Sequence, residues 1–428
     1  MVAPKSAPLG PAFANLFTAN LASSLGDGIA RTAFPLLAAR LTDDPLLISA
    51  VAALALLPWL FFAIPAGILI DRIDRRRALA LAQAVRTALG VLLVILVVTD
   101  ALTIWWLYLA IFIYGTFETV YDGAIRAVVP SIVGKADLPR ANSRIEAGEL
   151  VVQNFISGPL TSALFAVAVV IPLGINGLVF AVAGALALLL PRAASGRQFA
   201  DAASGEPQVA WYRQFVDGFR FIMANRMLRT LWFFSTFGGI MSSAATATYV
   251  LFILDRLEVP EALFGVSLLS GAVGGLLGAA LTSRFKTWWG AGLTMAIMIL
   301  VTGLAFVLIG VFPSLVMALI GYGLSSFAIT IWNILVMSLR QSVIPGRLLG
   351  RVHGTWRTLL WGSMPLGALI GGLIARIDLA LPFIIGGALE ALSAVVFFRF
   401  LMSLPNPEDV DNGDRPVDPG PTDPLVQD

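Results

Sequence analysis

The chain has no cysteine and a single histidine in 428 residues, and only 13% of its residues are charged. Without cysteine there can be no disulfide, no zinc–thiolate site and no cysteine nucleophile. No GxxxxGK[ST] phosphate-binding loop occurs, so nothing points to ATP as a driving force. Histidines and acids do not cluster at metal-ligand spacing, so neither metal nor cofactor is expected. The formal net charge of +2 is too small to suggest nucleic-acid binding. A soluble domain carries about 25% charged residues on its surface. This chain cannot supply such a surface, and with 58% hydrophobic residues its outside must be covered largely by lipid.

What is present is a series of long apolar runs. A helical span needs roughly 20 mainly apolar residues. Twelve are expected, at Phe13–Arg40, Leu47–Ile70, Ala78–Val98, Ile104–Ala124, Ile145–Ala166 and Ile171–Leu190, then at Leu228–Leu254, Leu263–Leu281, Gly290–Val311, Leu315–Met337, Thr355–Ile374 and Leu379–Leu401. In lipid each backbone amide must be satisfied within its own segment, so these runs are helices. Barrel strands would be short and alternating, and these are neither. The first run lacks a small-residue cleavage site and reads as a retained span. The fold class is therefore all-α: a polytopic membrane protein of twelve helices in two six-helix halves, residues 1–190 and 228–404.

Between the halves, residues 191–227 form a cytoplasmic linker. Ala193 to Pro207 is small and polar. Trp211, Phe215, Phe219 and Met223 recur every four residues, with Arg213, Arg220 and Arg226 between them, which predicts an amphipathic helix lying on the membrane surface. The acidic, proline-rich tail, residues 405–428, is expected to be disordered.

Loop charge predicts orientation. Alternate loops hold Arg72, Arg75, Arg76, Arg77; Arg126, Lys135, Arg140, Arg144; Arg192, Arg197, Arg213, Arg220, Arg226; Arg284, Lys286; and Arg340, Arg347, Arg351. The opposite loops carry Asp43, Asp44, Asp100, Asp255, Glu258 and Glu261, with little basic beyond Arg256 and Arg376. The basic loops, and with them both termini, should lie in the cytoplasm. A weak internal repeat relates Gly67 to Gly278 and Leu138-Pro-Arg140 to Leu349-Gly-Arg351, at an offset of about 210 residues. Repeats of this kind place a substrate site at their interface near the bilayer midplane.

Several of these residues carry a resemblance. Gly67-Ile-Leu-Ile-Asp71-Arg72-Ile-Asp-Arg75-Arg76-Arg77 is similar to the loop signature between spans 2 and 3 of the major facilitator superfamily. Ser23-Ser24-Leu25-Gly26-Asp27-Gly28, Gly218-Phe-Arg220-Phe221, Pro365-Leu-Gly367 and Gly371-Gly372 add to it. Together they resemble the exporter branch that includes macrolide-efflux and enterobactin-exporter proteins. Ile111 stands where that branch has an arginine, and Ser162-Ala163 follow Gly158-Pro159 where it has a glycine pair. The resemblance implies a secondary transporter of the cell (plasma or inner) membrane, exporting amphipathic organic compounds by alternating access against protons, functional as a monomer. Its partners would be a small-molecule substrate, protons and the bilayer. A dedicated siderophore, metabolite or lysophospholipid transporter is the alternative, as is a non-transporting membrane partner of a secretion or biosynthetic complex. An enzyme is not expected, since no nucleophile–base pair is visible.

Charges inside spans are costly, and each is a functional candidate. Asp27 and Arg31 sit four residues apart on one helical face, so Asp27 is either a proton-binding carboxylate or permanently paired to Arg31. Glu118 has no partner within its own helix and is expected to be the main proton-coupling residue, with Asp27 second. The resemblance makes Gly67, Asp71, Arg72, Arg75 and Asp122 a charge latch on the cytoplasmic side; a solvated Asp122 is the plainer reading. Arg86 either balances an acid or snorkels. Glu146 and Glu149 suit a helix N-terminus. Asn154, Trp332, Asn333, Trp356, Arg357 and Trp361 are candidates to line a cavity, against interfacial packing. His353 reads as a solvated loop-end residue or a proton relay. Gly271, Gly274, Gly275 and Gly278 signal close helix packing.

Overall fold

A computed structural model describes residues 9–195 and 211–410, less the side chains of residues 63, 64, 67–69, 71, 72, 211, 212, 214 and 347. Among the described residues it is helical throughout. The first set comprises α1 (Pro11–Leu41), α2 (Pro45–Arg72), α3 (Arg75–Val98), α4 (Ile104–Ile132), α5 (Leu138–Leu150), α6 (Ser157–Val167) and α7 (Val170–Leu188). A π turn, Val151–Ile156, joins α5 to α6 in one rod. The second set begins with α8 (Trp211–Ala224) and α9 (Arg226–Thr246) and continues through α10 (Glu261–Val311), α11 (Leu315–Val343), α12 (Gly346–Ala375), α13 (Leu381–Val396) and α14 (Phe398–Met402). Nine helical segments among the described residues are long and apolar enough to cross a membrane.

The 51-residue α10 holds two of the expected spans, Leu263–Leu281 and Gly290–Val311. It is not one rod: Gly290 has φ 75° and ψ 167°, a left-sided conformation that L side chains avoid, and the chain turns there. Elsewhere the helices overrun the apolar runs at the ends that bear the basic loops. The fourth continues to Ile132 and not Ala124, and α12 starts at Gly346 and not Thr355. Hydropathy marks only the part in hydrocarbon, whereas helical hydrogen bonding continues beyond it.

Small residues set the closest contacts, because apolar lipid supplies no hydrophobic drive between helices and packing must do so. The glycine stripe of α10 lies on α11, where a Cβ at Gly274 would meet the carbonyl oxygen of Gly323. The two sets meet through α2 with α12 and through α6 with the first part of α10. At the second seam Gly158 and Gly265 touch backbone to backbone, and the Gly265 N–H donates to Ser162 Oγ at 2.7 Å. Ser162, the departure from the expected glycine pair, therefore bonds across the seam.

The amphipathic helix α8 corrects its expectation in part. Its buried face is Gly218 and Ile222, and Phe219 on the predicted apolar stripe is exposed. Thr355 Oγ1 donates to the Phe215 carbonyl at 3.2 Å, and Arg351 reaches Asp217 at 3.4 Å, so α8 is docked on the start of α12. Of the tail expected to be disordered, residues 405–428, the described part is ordered: Pro407–Asp409 form a turn, the Ala291 N–H donates to Asn406 Oδ1 at 2.9 Å and Glu408 pairs with Lys286 at 2.6 Å. The side chain of Trp211, the linker over residues 196–210 and residues 411–428 lie outside the described residues.

Candidate functional site

Two cavities adjoin at the junction of the helical sets. The first, about 450 Å³, is walled by α1, α2 and α4, with Arg357 and Trp361 from α12. Asp27, Arg31, Glu118 and Asp122 all reach it. The pairing inside it differs from the i, i+4 expectation. Asp27 is joined to Arg86 of α3, whose side chain is wholly buried. Tyr114 Oη donates to the same Asp27 oxygen at 3.1 Å. The Arg86 guanidinium lies 4.3 Å from the Tyr114 ring centre and 4.1 Å from that of Phe180, and Nη1 donates to Ser23 Oγ at 3.3 Å. Aromatic faces and a carboxylate together compensate a charge removed from water.

Arg31 turns away from Asp27 and reaches Glu118 Oε1 at 3.5 Å, with 61% of its side chain exposed. Glu118 thus has a cation after all, supplied by another helix. Spacing on one helix could not reveal either partner, because each pair joins residues more than fifty positions apart. Arg86 is not snorkelling to an interface.

Asp122 stands on the same wall, nearer the basic loops. Arg75 Nη1 donates to the Ala127 carbonyl at 2.8 Å and ties the start of α3 to the end of α4. The side chains of Gly67, Asp71 and Arg72, the rest of the expected latch, lie outside the described residues. Asn20 Nδ2 donates to Glu149 Oε1 at 2.9 Å, giving that acid a partner on α1.

The second cavity, about 430 Å³, is formed by α9, α10, α11, α12 and α13. Trp332, Asn333, Trp356 and Trp361 line it. Arg357 instead faces the first cavity, its guanidinium 4.7 Å from the Trp59 ring centre and 4.4 Å from that of Trp361. Asn154 reaches neither cavity; it is exposed on the π turn between α5 and α6. Leu56 and Trp361 belong to both walls, so the two spaces adjoin across the α2–α12 seam. His353 is half-buried and is not free in solvent: its Nδ1 lies 2.6 Å from Nη2 of the buried Arg340, which stacks on Trp356 at 4.4 Å.

One wall residue is absent from those that the sequence singles out. Glu390 of α13 is 2% exposed and lines the second cavity. The signal was available, since an acid in the middle of an apolar span marks itself.

At the end of the bundle away from the basic loops, two ion pairs join the sets. Arg40 holds Glu261 through two bonds of 2.9 and 2.5 Å. Arg376 holds Asp44 through two of 2.8 and 2.5 Å. The guanidinium of Arg376 beside Asp44 keeps that carboxyl below the usual aspartate range.

The sequence profile of the transmembrane secretion effector family matches residues 3–426. The multidrug efflux pump Tap of Mycolicibacterium fortuitum is 28% identical over 86% of this chain and 89% of its own length. Macrolide efflux protein A of Streptococcus pyogenes is 22% identical over 83% and 87%. In fold the chain is similar to the crystal structure of the nucleoside transporter NupG, with a TM-score of 0.70 at 15% identity over 92% of this chain and 100% of that one. It is likewise similar to a bacterial homologue of the iron transporter ferroportin in an inward-facing state, with a TM-score of 0.71 at 16% identity over 92% and 100%. The chain belongs to the transmembrane secretion effector family within the major facilitator superfamily, and it is a multi-pass membrane transporter of small molecules, not an enzyme.

Proposed function

We propose that the protein exports amphipathic organic compounds across the plasma membrane by alternating access, driven by proton influx. It would have twelve spans in two six-helix halves, with the basic loops and both termini in the cytoplasm. The observation that carries this reading is the pair of adjoining cavities on either side of the α2–α12 seam, with the bridges Arg40–Glu261 and Arg376–Asp44 joining the two sets at one end. With the basic loops inside, that bridged end is the outer one, and the conformation is ready to receive substrate from the cytoplasm or inner leaflet. Opening outward requires both bridges to break, and the latch at Asp71, Arg75 and Asp122 is expected to hold the other side while that side is closed.

Glu118 is the preferred coupling residue. Its pair with Arg31 is a single long contact at the cavity surface, so a proton on Glu118 would release Arg31. Asp27 is held by Arg86 and Tyr114 in the dry interior and is better suited to fixing the wall. The efflux activity named for the similar proteins supports the direction. The test is uptake into inverted proteoliposomes of a panel of amphipathic dyes and antibiotics under an imposed pH gradient. Wild type should accumulate at least one compound only with the gradient present. Glu118→Gln should lose the response to the gradient while retaining downhill exchange. Wild-type rate and pH dependence in that variant would remove Glu118 from the coupling role.

A further inference from the structure

The second cavity contains a charge that neither the family nor the coupling scheme accounts for. Glu390 is 2% exposed, and its two oxygens share one donor, the Ser242 hydroxyl of α9, at 3.3 and 3.1 Å. No lysine, arginine or histidine among the described residues lies within ion-pair distance of it. A carboxylate has room for about four hydrogen bonds. Most of that capacity is free, and a charge here is neutralised either by a proton or by a cation that enters the cavity. The free side faces the cavity. Opposite the carboxylate stands Gly238, where an added Cβ would come to 3.6 Å from Glu390 Oε1; the missing side chain leaves the approach open. Arg340, the other charge on this wall, is occupied by Trp356 and His353.

The surroundings select among cations. A hard divalent metal ion takes six or more oxygen ligands, carboxylates together with carbonyls and waters. Here there is one acid, and no group of three metal-binding residues occurs among the described residues. What surrounds it is aromatic: Phe234, Phe306, Tyr322, Trp332, Trp356 and Trp361 share the wall. Ring faces attract an organic cation and bury its apolar body. We infer that Glu390, oriented by Ser242, is the recognition point for a protonated amine on the transported compound, whose apolar part rests on the aromatic wall of the second cavity. The inference rests on the transporter reading, but it concerns binding and not coupling. In the first cavity Asp27 and Glu118 each have their own arginine, and the remaining acid, Asp122, belongs to the expected latch at the basic-loop end.

The experiment compares two fluorescent probes of nearly equal size, dansylcadaverine, which is a primary ammonium, and its neutral N-acetyl derivative. Binding is followed by dansyl fluorescence on the purified full-length protein in nanodiscs. Wild type should bind the amine at least tenfold more tightly than the amide. Glu390→Gln should remove that preference and leave the affinity for the amide within about twofold, which also shows that the variant is folded. Glu390→Asp should retain part of the preference, and Ser242→Ala should reduce it by about two- to threefold. Equal binding of the two probes by wild type overturns the proposal. So does an amine preference that survives Glu390→Gln, including the case in which that variant has lost only gradient-driven transport, as a site for protons alone would. If amine preference depends on Glu390 but wild-type proteoliposomes move neither probe nor any compound of the panel, the export reading fails and the amine site stands.

Discussion

The walls of the two cavities handle buried charge in opposite ways. The first wall pairs two of its acids, Asp27 with Arg86 and Glu118 with Arg31, and leaves Asp122, at the basic-loop end, without an ion pair among the described residues. The second wall carries one acid and gives it a single hydroxyl. A closed pair is a structural part with a possible switch in it; an uncompensated acid is a place for something to bind. The difference suggests a division of labour in which one wall responds to protons and the other recognises cargo.

The largest effect expected from this comparison is on stability. Arg86→Met leaves Asp27 buried with no cation, which should cost about 3–5 kcal/mol. Glu390→Gln, which keeps an acceptor for Ser242, should stay within about 1 kcal/mol of wild type. Equilibrium unfolding in detergent reads both, and similar costs would break the contrast. The double substitution Asp27→Asn with Arg86→Met should recover most of the loss, since it removes both charges together.

Next in size are the bridges at the closed end. Exposed ion pairs contribute about 0–1 kcal/mol each. Removing both, with Arg40→Gln and Arg376→Gln, should raise opening on that side by up to about thirtyfold. The measurement is the labelling rate of a cysteine introduced at Ala52, on the first cavity's wall, by an impermeant reagent applied from the acidic-loop side. An unchanged rate would mean that the α6–α10 and α2–α12 packing alone keeps that end shut.

The smallest effect is the pH dependence of one bridge. Arg376 depresses the folded-state value of Asp44 below that of the unfolded chain. The contribution of this carboxylate is therefore present above the ordinary aspartate value, about 3.9, and is lost as pH falls through the lower folded value. The ratio of the labelling rates of wild type and Asp44→Asn, in which the pH dependence of the thiol itself cancels, should be constant from about pH 8 to pH 5 and should approach one only below about pH 4. A difference that already declines near pH 6 would show that Asp44 is not held by Arg376 in the membrane.

Much of this architecture is legible in the sequence because it depends on neighbours along the chain. Apolar length, helical periodicity, the basic loops and the glycine stripe of α10 are all local patterns, and local hydrogen bonding and lipid exposure respond to them directly. That Asp27, Arg31, Arg86, Glu118 and Asp122 stand in or beside a membrane-embedded cavity also follows from the cost of placing charge in lipid. Two readings go astray where local reasoning meets tertiary contact. Asp27 and Arg31 share a helical face yet take different partners, because α3 and α4 bring Arg86 and Glu118 closer. Asn154 faces away from both cavities because the π turn Val151–Ile156 adds a residue to the rod and rotates what lies around it.

By itself, then, the sequence determined that the chain is a helical membrane protein, where its helices run and which of its charges must matter. Only the tertiary structure decided which charges neutralise one another and that Glu390 is left with Ser242 alone. The physical reason is range. A desolvated charge must find its compensation within a few ångströms in space, and the partners it finds here are 59, 87 and 148 residues away along the chain. No spacing rule within a helix reaches that far.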